Sequence, residues 1–555
     1  MEITRETPTR TFDAIVVGTG ATGGWAAKQL TEAGMDVLVL DAGPMPEPSR
    51  DFAHHEMPWE RPNRGLSFDR RRSQPASSDK LPLVWSRNAD NPYTTPPDKP
   101  FTWVRSRIVG GRTLHWSRAA HRLSDFDFKA ASRDGYGDDW PISYAEIAPY
   151  YDKVEEHIGV SAYAEGYPQL PDGKFLPGMN YNCVEQQFRK TALRMGLPAT
   201  HRRIAQLSRP HKGRPACHFC GACREGCDIG AMFNSIVSTL PPADATKRMT
   251  LRPDSVVRAV LMGKDGKARG VSYIDRLTKQ EYEAKAKNVI VAASTLESVR
   301  ILWNSHKDGL GNSSGMLGHY IMDQVAGASV SGVFPQLRNS PPRNDDGKSS
   351  GAFIANFRNI ESRHPKFIRG YCMSMSGGQS ERPSYALDKK GYGAALKQSI
   401  RADYPAMARI YMSAGDMLPR YENFAGLDPK VKDAWGIPVL NISCTFGDNE
   451  RAIWEDGTEM MKQIFTEAGG EILAVGQSIS TPGGLIHEVG GTRMGADPKT
   501  SVLDPYCRMH DVPNVYVFGG SPFVTTGSYH PTLTMMALTV RGCERLTEQA
   551  KRREA

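Results

Sequence analysis

Apolar positions fall into short continuous runs near both ends of the chain and into looser, alternating patterns in the middle. Residues 12–17, Phe-Asp-Ala-Ile-Val-Val, form a β-branched run of the kind carried by a strand buried in a parallel sheet. Helical periodicity follows over 24–33, with Gly34 placed to end it. A second run, 37–40, closes on Asp41. The strand-then-helix pattern returns at 287–298, and 514–518 followed by 535–546 predicts one more buried strand and helix. Residues 327–334 and 439–444 predict strands of a separate sheet. Residues 46–100, rich in Pro, Arg, Ser and Asn, predict an irregular excursion or lid, and 338–350 a mobile loop. There is no internal repeat.

Glycines punctuate the first strand–helix junction as Gly18-Thr-Gly20-Ala-Thr-Gly23. Gly18 permits the tight turn, Gly20 lets the backbone approach a pyrophosphate, and Gly23 lets helix and strand pack closely. The helix N-terminus then faces the phosphates. Asp41 lies about 20 residues further on, where an acid accepts hydrogen bonds from a ribose. Strand, glycines, helix, strand and acid in register predict dinucleotide binding, although the motif does not separate FAD from NAD.

At 555 residues the chain suggests two or three folded units. Its 39% hydrophobic and 23% charged residues are ordinary for a soluble globular enzyme. The net charge of +8 is spread along the chain, and the short basic runs at 70–72 and 551–553 read as solvated surface or tail. With no reading motif beside them, no nucleic-acid partner is expected. No stretch approaches the ~20 consecutive apolar residues of a membrane span. Residues 1–10 are polar, with no signal-peptide core and no twin arginine, so no export address is expected in this chain.

Four of nine cysteines, Cys217, Cys220, Cys223 and Cys227, form a C-x2-C-x2-C-x3-C run, while the other five are scattered. That distribution argues against a disulfide framework and for one metal or cluster site. The spacing matches the iron–sulfur run of bacterial ferredoxins, with Asp228 where those place proline. Zinc held by all four thiolates, or by three with His218, is the alternative, and free thiols are a third.

Three further segments make the chain resemble the glucose-methanol-choline (GMC) oxidoreductases along most of its length. Arg107-Ile-Val-Gly110-Gly111-Arg-Thr-Leu-His115-Trp116 resembles the family's flavin-contact loop, where a Cβ would hold the chain off the ring. The His-Trp pair is similar to that of pyranose oxidases, whose histidine is bonded to the flavin. Related dehydrogenases hold FAD without the bond, so covalent and non-covalent FAD are both open at His115. Residues 287–298 are similar to the family's return to its nucleotide domain, and Val257 falls where the family packs a valine against adenine. Residues 139–151 resemble a family hallmark that opens an amphipathic helix. Residues 486–495 resemble the element His-x-x-Gly-Thr-x-x-Met, departing at Gly491, which leaves the role of Thr492 open. His487 and His530, 43 residues apart, match the family's two catalytic positions.

The resemblance implies an α/β fold: a Rossmann-like FAD-binding domain assembled from discontinuous segments, and an α+β substrate domain with an antiparallel sheet. The FAD domain is expected from 10–45, 101–125, 250–320 and 485–550. The lid is expected at 46–100, a helical and cysteine-cluster region at 126–249, and the substrate domain at 321–484. Gly18, Gly20, Gly23, Asp41, Gly110, Gly111, His115, Val257, Gly520 and Thr532 are expected around FAD. His487 is the expected base, and His530 the partner that orients the hydroxyl. An imidazole of ordinary pKa, about 6.5, suits that work at neutral pH.

Residues 227–234 also resemble the cluster segment of bacterial FAD-dependent glucose, fructose and gluconate dehydrogenases, in which three cysteines ligate a three-iron cluster. Cys217, Cys223 and Cys227 keep that spacing, so 3Fe-4S and 4Fe-4S clusters are both open. This implies a dehydrogenase of sugars or glycosides, C3 being one candidate position, with electrons leaving through the cluster to a cytochrome c. It also implies a small signal-bearing partner subunit and export to the periplasm, the cytoplasm being the alternative. A pyranose-type oxidase with zinc on the cysteines, and a lyase whose flavin is only structural, are the competing readings.

Overall fold

The computed structural model describes residues 1, 3–52, 60, 82–220, 223, 226–341, 351–377 and 389–554. The terminal apolar runs meet in one seven-stranded sheet. Thr11–Val17 lies between Val37–Leu40 and Glu281–Val291 and is parallel to both. Met249–Arg252 extends the sheet beyond Val37–Leu40, and Val515–Val517 pairs with residues 289–291, again in parallel. Val16, Leu38, Val39, Ile290 and Val515 have no solvent exposure, because both faces of the parallel core are covered. Such strands read as continuous apolar runs, not as alternation.

The strand Glu281–Val291 carries both patterns. Its first half pairs antiparallel with Ala268–Asp275, which pairs with Ser255–Met262 in a meander. There, exposed Glu283, Lys285 and Lys287 alternate with buried Ala284 and Ala286. From Val289 onward every residue is buried.

The helices Ala21–Glu32 and Thr532–Glu554 pack against each other, and Tyr144–Ile158 packs on the latter. A capping box of Ser143 and Glu146 opens Tyr144–Ile158. The C-terminal helix runs eight residues past its expected end at 546, because its last turns are polar good helix formers without apolar periodicity. Among the described residues, no helix is long and apolar enough to cross a membrane.

A second sheet of six antiparallel strands runs Glu471–Val475, Ser329–Val333, Met407–Gly415, Tyr371–Gly377, Ala352–Ile354, Ala199–His201. Asp448–Glu467 and Cys183–Arg194 pack against it. Two expectations change here. Ala199–His201 belongs to this sheet, although 126–249 was expected to be helical, since three residues are too few to show a period of two. Pro438–Ser443 lies outside this sheet and pairs with Phe424–Lys432 in a separate hairpin. Arg338, expected in a mobile loop, is paired with Asp403 at 2.8 Å and Glu471 at 2.6 Å. Residues 342–350 of that loop, and 53–59 and 61–81 of the expected lid, lie outside the described residues.

A buried ion pair joins the hairpin to the nucleotide unit. Arg300, on Thr295–Ser305, reaches Asp433 Oδ2 at 2.7 Å, and Asp433 Oδ1 accepts the N–H groups of Trp435 and Ile437. Removing Asp433 leaves the buried guanidinium with Glu297 as its remaining acid, at 3.4 Å. Asp433→Ala should therefore lower stability by up to about 3–5 kcal/mol, read as a fall in Tm, while an unchanged Tm would show the pair to be idle.

Candidate active site

The glycine turn divides its work as its spacing suggests. A Cβ on Gly18, where φ is +97°, would lie 2.6 Å from Ala292 O, and one on Gly23 would lie 2.0 Å from Gly18 O. A Cβ on Gly20 would meet nothing within 4 Å. Gly20 therefore opens onto free space beside the N-terminus of Ala21–Glu32, which has no side-chain cap. Unpaired helix N–H groups next to open space fit a diphosphate.

Asp41 also holds the turn itself. Its Oδ2 accepts the N–H of Thr19 at 3.1 Å and the Thr19 hydroxyl, and its Oδ1 accepts Gly43 N–H at 2.9 Å. Three of its four or so acceptor sites hold the turn itself, and burial pushes its carboxyl up to about 6. Thr19 carries the connection onward, because its Oγ1 accepts Gly110 N–H at 2.9 Å. The two glycine loops adjoin: a Cβ on Gly111 would lie 3.4 Å from Gly20 Cα.

In the second loop, His115 Nε2 shares a 2.7 Å hydrogen bond with Ser106 Oγ, and the Trp85 ring lies 4.2 Å away. Burial, then the Arg112 cation, holds His115 down to about 3, so the ring is neutral. Trp116 Nε1 donates to Phe233 O at 2.9 Å. Val257 is buried in the meander, 8% exposed. A Cβ on Gly520 would lie 2.4 Å from Thr295 Oγ1 and 2.7 Å from Glu488 O, so this glycine serves close protein packing. Thr532 opens the C-terminal helix. Thr492, buried, leaves its Oγ1 unpaired among the described residues.

The structure brings His487 and His530 together, with ring centroids 5.0 Å apart in an edge-to-face arrangement. Two neighbours that the sequence reading passed over set the geometry. Asp323 accepts the N–H groups of Leu485 and His487, at 3.1 and 3.0 Å, and burial pushes its carboxyl up to about 7. Gln324 donates from Nε2 to Gly527 O at 2.6 Å and Tyr529 O at 2.7 Å, which leaves Oε1 as an acceptor 2.7 Å from His487 Nδ1. Nδ1 must therefore carry the proton, and Nε2 keeps its lone pair. Ile486, just before His487, has φ +67°, a left-handed conformation that a β-branched side chain disfavours. Arg112 fixes this segment to the flavin loop, donating to Glu488 Oε2 at 2.7 Å and Ile486 O at 3.3 Å.

His487 keeps a partly exposed ring, whereas His530 is 4% exposed. Burial, followed by Arg112 and Arg202, holds His487 down to about 3; burial pushes His530 down as well. The expected ordinary imidazole pKa does not apply here. A third histidine, His121, lies 5.1 Å from His530 and is fully buried. A polar pair inside the apolar run 321–326, and a histidine inside 119–123, were the available signals for Gln324 and His121.

The cysteine run is present in spacing but not as a gathered ligand set. Cys217 Sγ is turned to Gln206 Nε2 at 2.9 Å, and burial pushes its thiol up. Cys220 is exposed, and Cys223 and Cys227 are half-buried. Among the described residues, no three His, Cys, Asp or Glu side chains stand where they could hold one ion.

Models of the GMC oxidoreductase family match residues 12–326 and 419–539. The chain is 28% identical to the fructose dehydrogenase large subunit of Gluconobacter japonicus, over 98% of this chain and 99% of that one. It is 29% identical to the 2-methyl-1,2-propanediol dehydrogenase of Mycolicibacterium austroafricanum, over 95% and 94%. Its fold is similar to that of pyridoxine 4-oxidase from Mesorbium loti, with a TM-score of 0.63 and 16% identity over 97% of this chain and 99% of that one.

Ser106 already occupies His115 Nε2. Acid precipitation of the purified protein should therefore leave its flavin in the supernatant, whereas flavin retained in the pellet would establish a covalent bond.

Proposed function

Because this chain belongs to the GMC oxidoreductase family and is an FAD-dependent oxidoreductase, we propose that it oxidises a CH–OH group of a sugar or glycoside. FAD, when bound, supplies the two-electron acceptor for the hydride leaving that carbon. Gly20 and the helix N-terminus beside it would hold its diphosphate, and the loop at Gly110 and Gly111 its ring. His487 takes the hydroxyl proton on Nε2 as the C–O bond becomes a carbonyl. The carrying observation is the tautomer that Gln324 imposes: with Nδ1 protonated, Nε2 is an acceptor in every molecule. His530, also neutral, with its ring centroid 5.0 Å from that of His487, orients the hydroxyl. The name of the fructose dehydrogenase relative supports a sugar as substrate.

By their spacing, Cys217, Cys220, Cys223 and Cys227 would be the residues to hold an iron–sulfur cluster, with zinc as the alternative, and such a cluster would supply a one-electron exit towards a cytochrome c. Arg118 is within electrostatic reach of Cys223, Cys217 and Cys227, and the Trp116–Phe233 bond ties the flavin loop to the segment after them. Since these side chains are not gathered as ligands, hydride and proton transfer are not routed through them. The relative's designation as a large subunit supports a smaller companion for this chain, and export with it would place the protein in the periplasm.

His487→Ala should slow anaerobic flavin reduction by sugar about 10²-fold or more, and Gln324→Leu about 10-fold, by freeing the tautomer. Because the His487 pKa is lowered, its neutral form persists as pH falls. The His487 ring should then lose its acceptor only below about pH 5, and a loss centred near 6.5 that persists in Asp323→Asn, which removes the carboxyl raised to about 7, would overturn the assignment. Metal analysis with EPR should find about three or four irons per FAD; stoichiometric zinc with rapid peroxide formation would favour the oxidase.

A further inference from the structure

Among the described residues, the most exposed large apolar side chain lies on the substrate-domain sheet's outer end. Tyr392 is 90% exposed, and the next, Leu277, is 55% exposed. Tyr392 stands between Gly391 and Gly393, at φ +118° and +67°. Glycine adopts such angles without strain, so the chain turns on either side of the ring and leaves it in solvent.

The helix Gly393–Asp403 follows at once, and of its eleven residues only Asp403 is buried. An isolated helix of that length is marginal in water, and most helices are held by an apolar face packed on the fold. Here the fold grips one end. Asp403 meets Lys389 at 2.5 Å and Arg338 at 2.8 Å, and Ala402 O accepts the N–H of Asn339 at 3.0 Å. Towards the other end, Ala394 and Ala395 are exposed and Leu396 is half-buried.

Two rows run along this helix. Tyr392, Leu396 and Ile400 recur every four residues on one side. Lys397 and Arg401, both exposed, recur in the same way one residue further on, and exposed Lys390 precedes Tyr392. Residues 389–402 hold four cations and no acid. Asp403, the first acid after them, already carries Lys389 and Arg338.

The composition of this surface selects its neighbour. Protein interfaces enrich aromatics and arginine but deplete lysine. The headgroup zone of a bilayer takes tyrosine together with lysine and arginine. Two of the three exposed cations are lysines, which fits the bilayer, and cations without an acid complement anionic headgroups. Among the described residues no helix is long and apolar enough to cross a membrane, so contact through this helix is peripheral. It also lies away from the chemistry. The helix leads through Tyr404–Ala406 into Met407–Gly415, a nine-residue strand that spans roughly 27 Å. Just beyond the far end of that strand, Met417 N–H donates to Thr526 Oγ1 at 3.0 Å, in the loop that carries His530.

We propose that Tyr392 and the helix Gly393–Asp403 form a docking surface for an anionic lipid bilayer, with the Tyr392 ring at headgroup level and Lys390, Lys397 and Arg401 on the lipid phosphates. This surface is independent of which alcohol is oxidised.

Co-sedimentation of the FAD-loaded protein with phosphatidylcholine vesicles, with and without phosphatidylglycerol, tests this. The wild type should bind the vesicles that contain phosphatidylglycerol, should leave pure phosphatidylcholine alone, and should be released as salt rises. Binding should weaken about 5-fold for each charge removed in Lys390→Gln, Lys397→Gln and Arg401→Gln, and should weaken in Tyr392→Ser. A double variant on the hairpin Phe424–Lys432, Lys430→Gln with Lys432→Gln, removes exposed charge elsewhere and should bind as the wild type does. All these side chains are exposed, so Tm and bound FAD should stay at wild-type values, which separates lost docking from lost folding. No binding to phosphatidylglycerol vesicles overturns the proposal. An equal loss in the hairpin variant overturns it too, since only the net charge of the chain would then be at work. Helix variants that alter self-association in gel filtration but not vesicle binding would assign the surface to a second copy of this chain and sink the lipid assignment.

Discussion

The Asp41 carboxylate, the Thr19 hydroxyl and the Gly110 N–H form one buried chain of hydrogen bonds, and the site is organised around it. Asp41 closes the second strand, Thr19 sits within the phosphate turn, and Gly110 begins the flavin loop. Ser235 joins the same knot by donating to Thr19 O at 2.6 Å. Segments as distant in sequence as residues 19, 41, 110 and 235 are thereby held at fixed spacing. Thr19 uses its hydroxyl in both directions, donating to the acid and accepting from the amide. Valine, of similar shape, would satisfy neither partner.

A comparable division of labour supports the histidines. Asp323 takes hold of backbone, at residues 485 and 487, while its neighbour Gln324 takes hold of an imidazole and of the carbonyls that precede His530. One dipeptide thus fixes the height of His487 and its proton. Asp323 helps to sustain the left-handed backbone at Ile486 that lies between its two attachment points. Placement and protonation are set by different side chains, so each can be altered separately.

Much of the nucleotide unit was legible because its determinants are local. A turn needing φ above zero requires glycine at Gly18, and a doubly covered strand requires an unbroken apolar run, as in residues 12–17. The pairing of His487 with His530 was legible only through resemblance to a family, since nothing in 43 intervening residues states that they meet. Gln324 and His121 showed in the sequence only as polar residues inside apolar runs. Each takes its meaning from a contact made across the fold, which no local pattern records. At Asp41 the sequence pointed to the residue but not to its grip on the turn, through Thr19 and Gly43, which only the fold reveals. The cysteine run displays the limit of spacing, which records how far apart sulfurs are along the chain but not where they point.

The strand Glu281–Val291 also dictates the order in which the molecule can be finished. Its last three residues find one of their neighbours only in Val515–Val517. A ribosome adding about 5–20 residues per second would need roughly 10–45 s to make the 226 residues between positions 291 and 517. Through that interval the growing chain carries an unprotected sheet edge, the feature most prone to pairing with a stranger. The middle of the protein is therefore synthesised while the nucleotide fold waits open. The parallel core is complete only once residue 517 has been made and has found its place beside Val291.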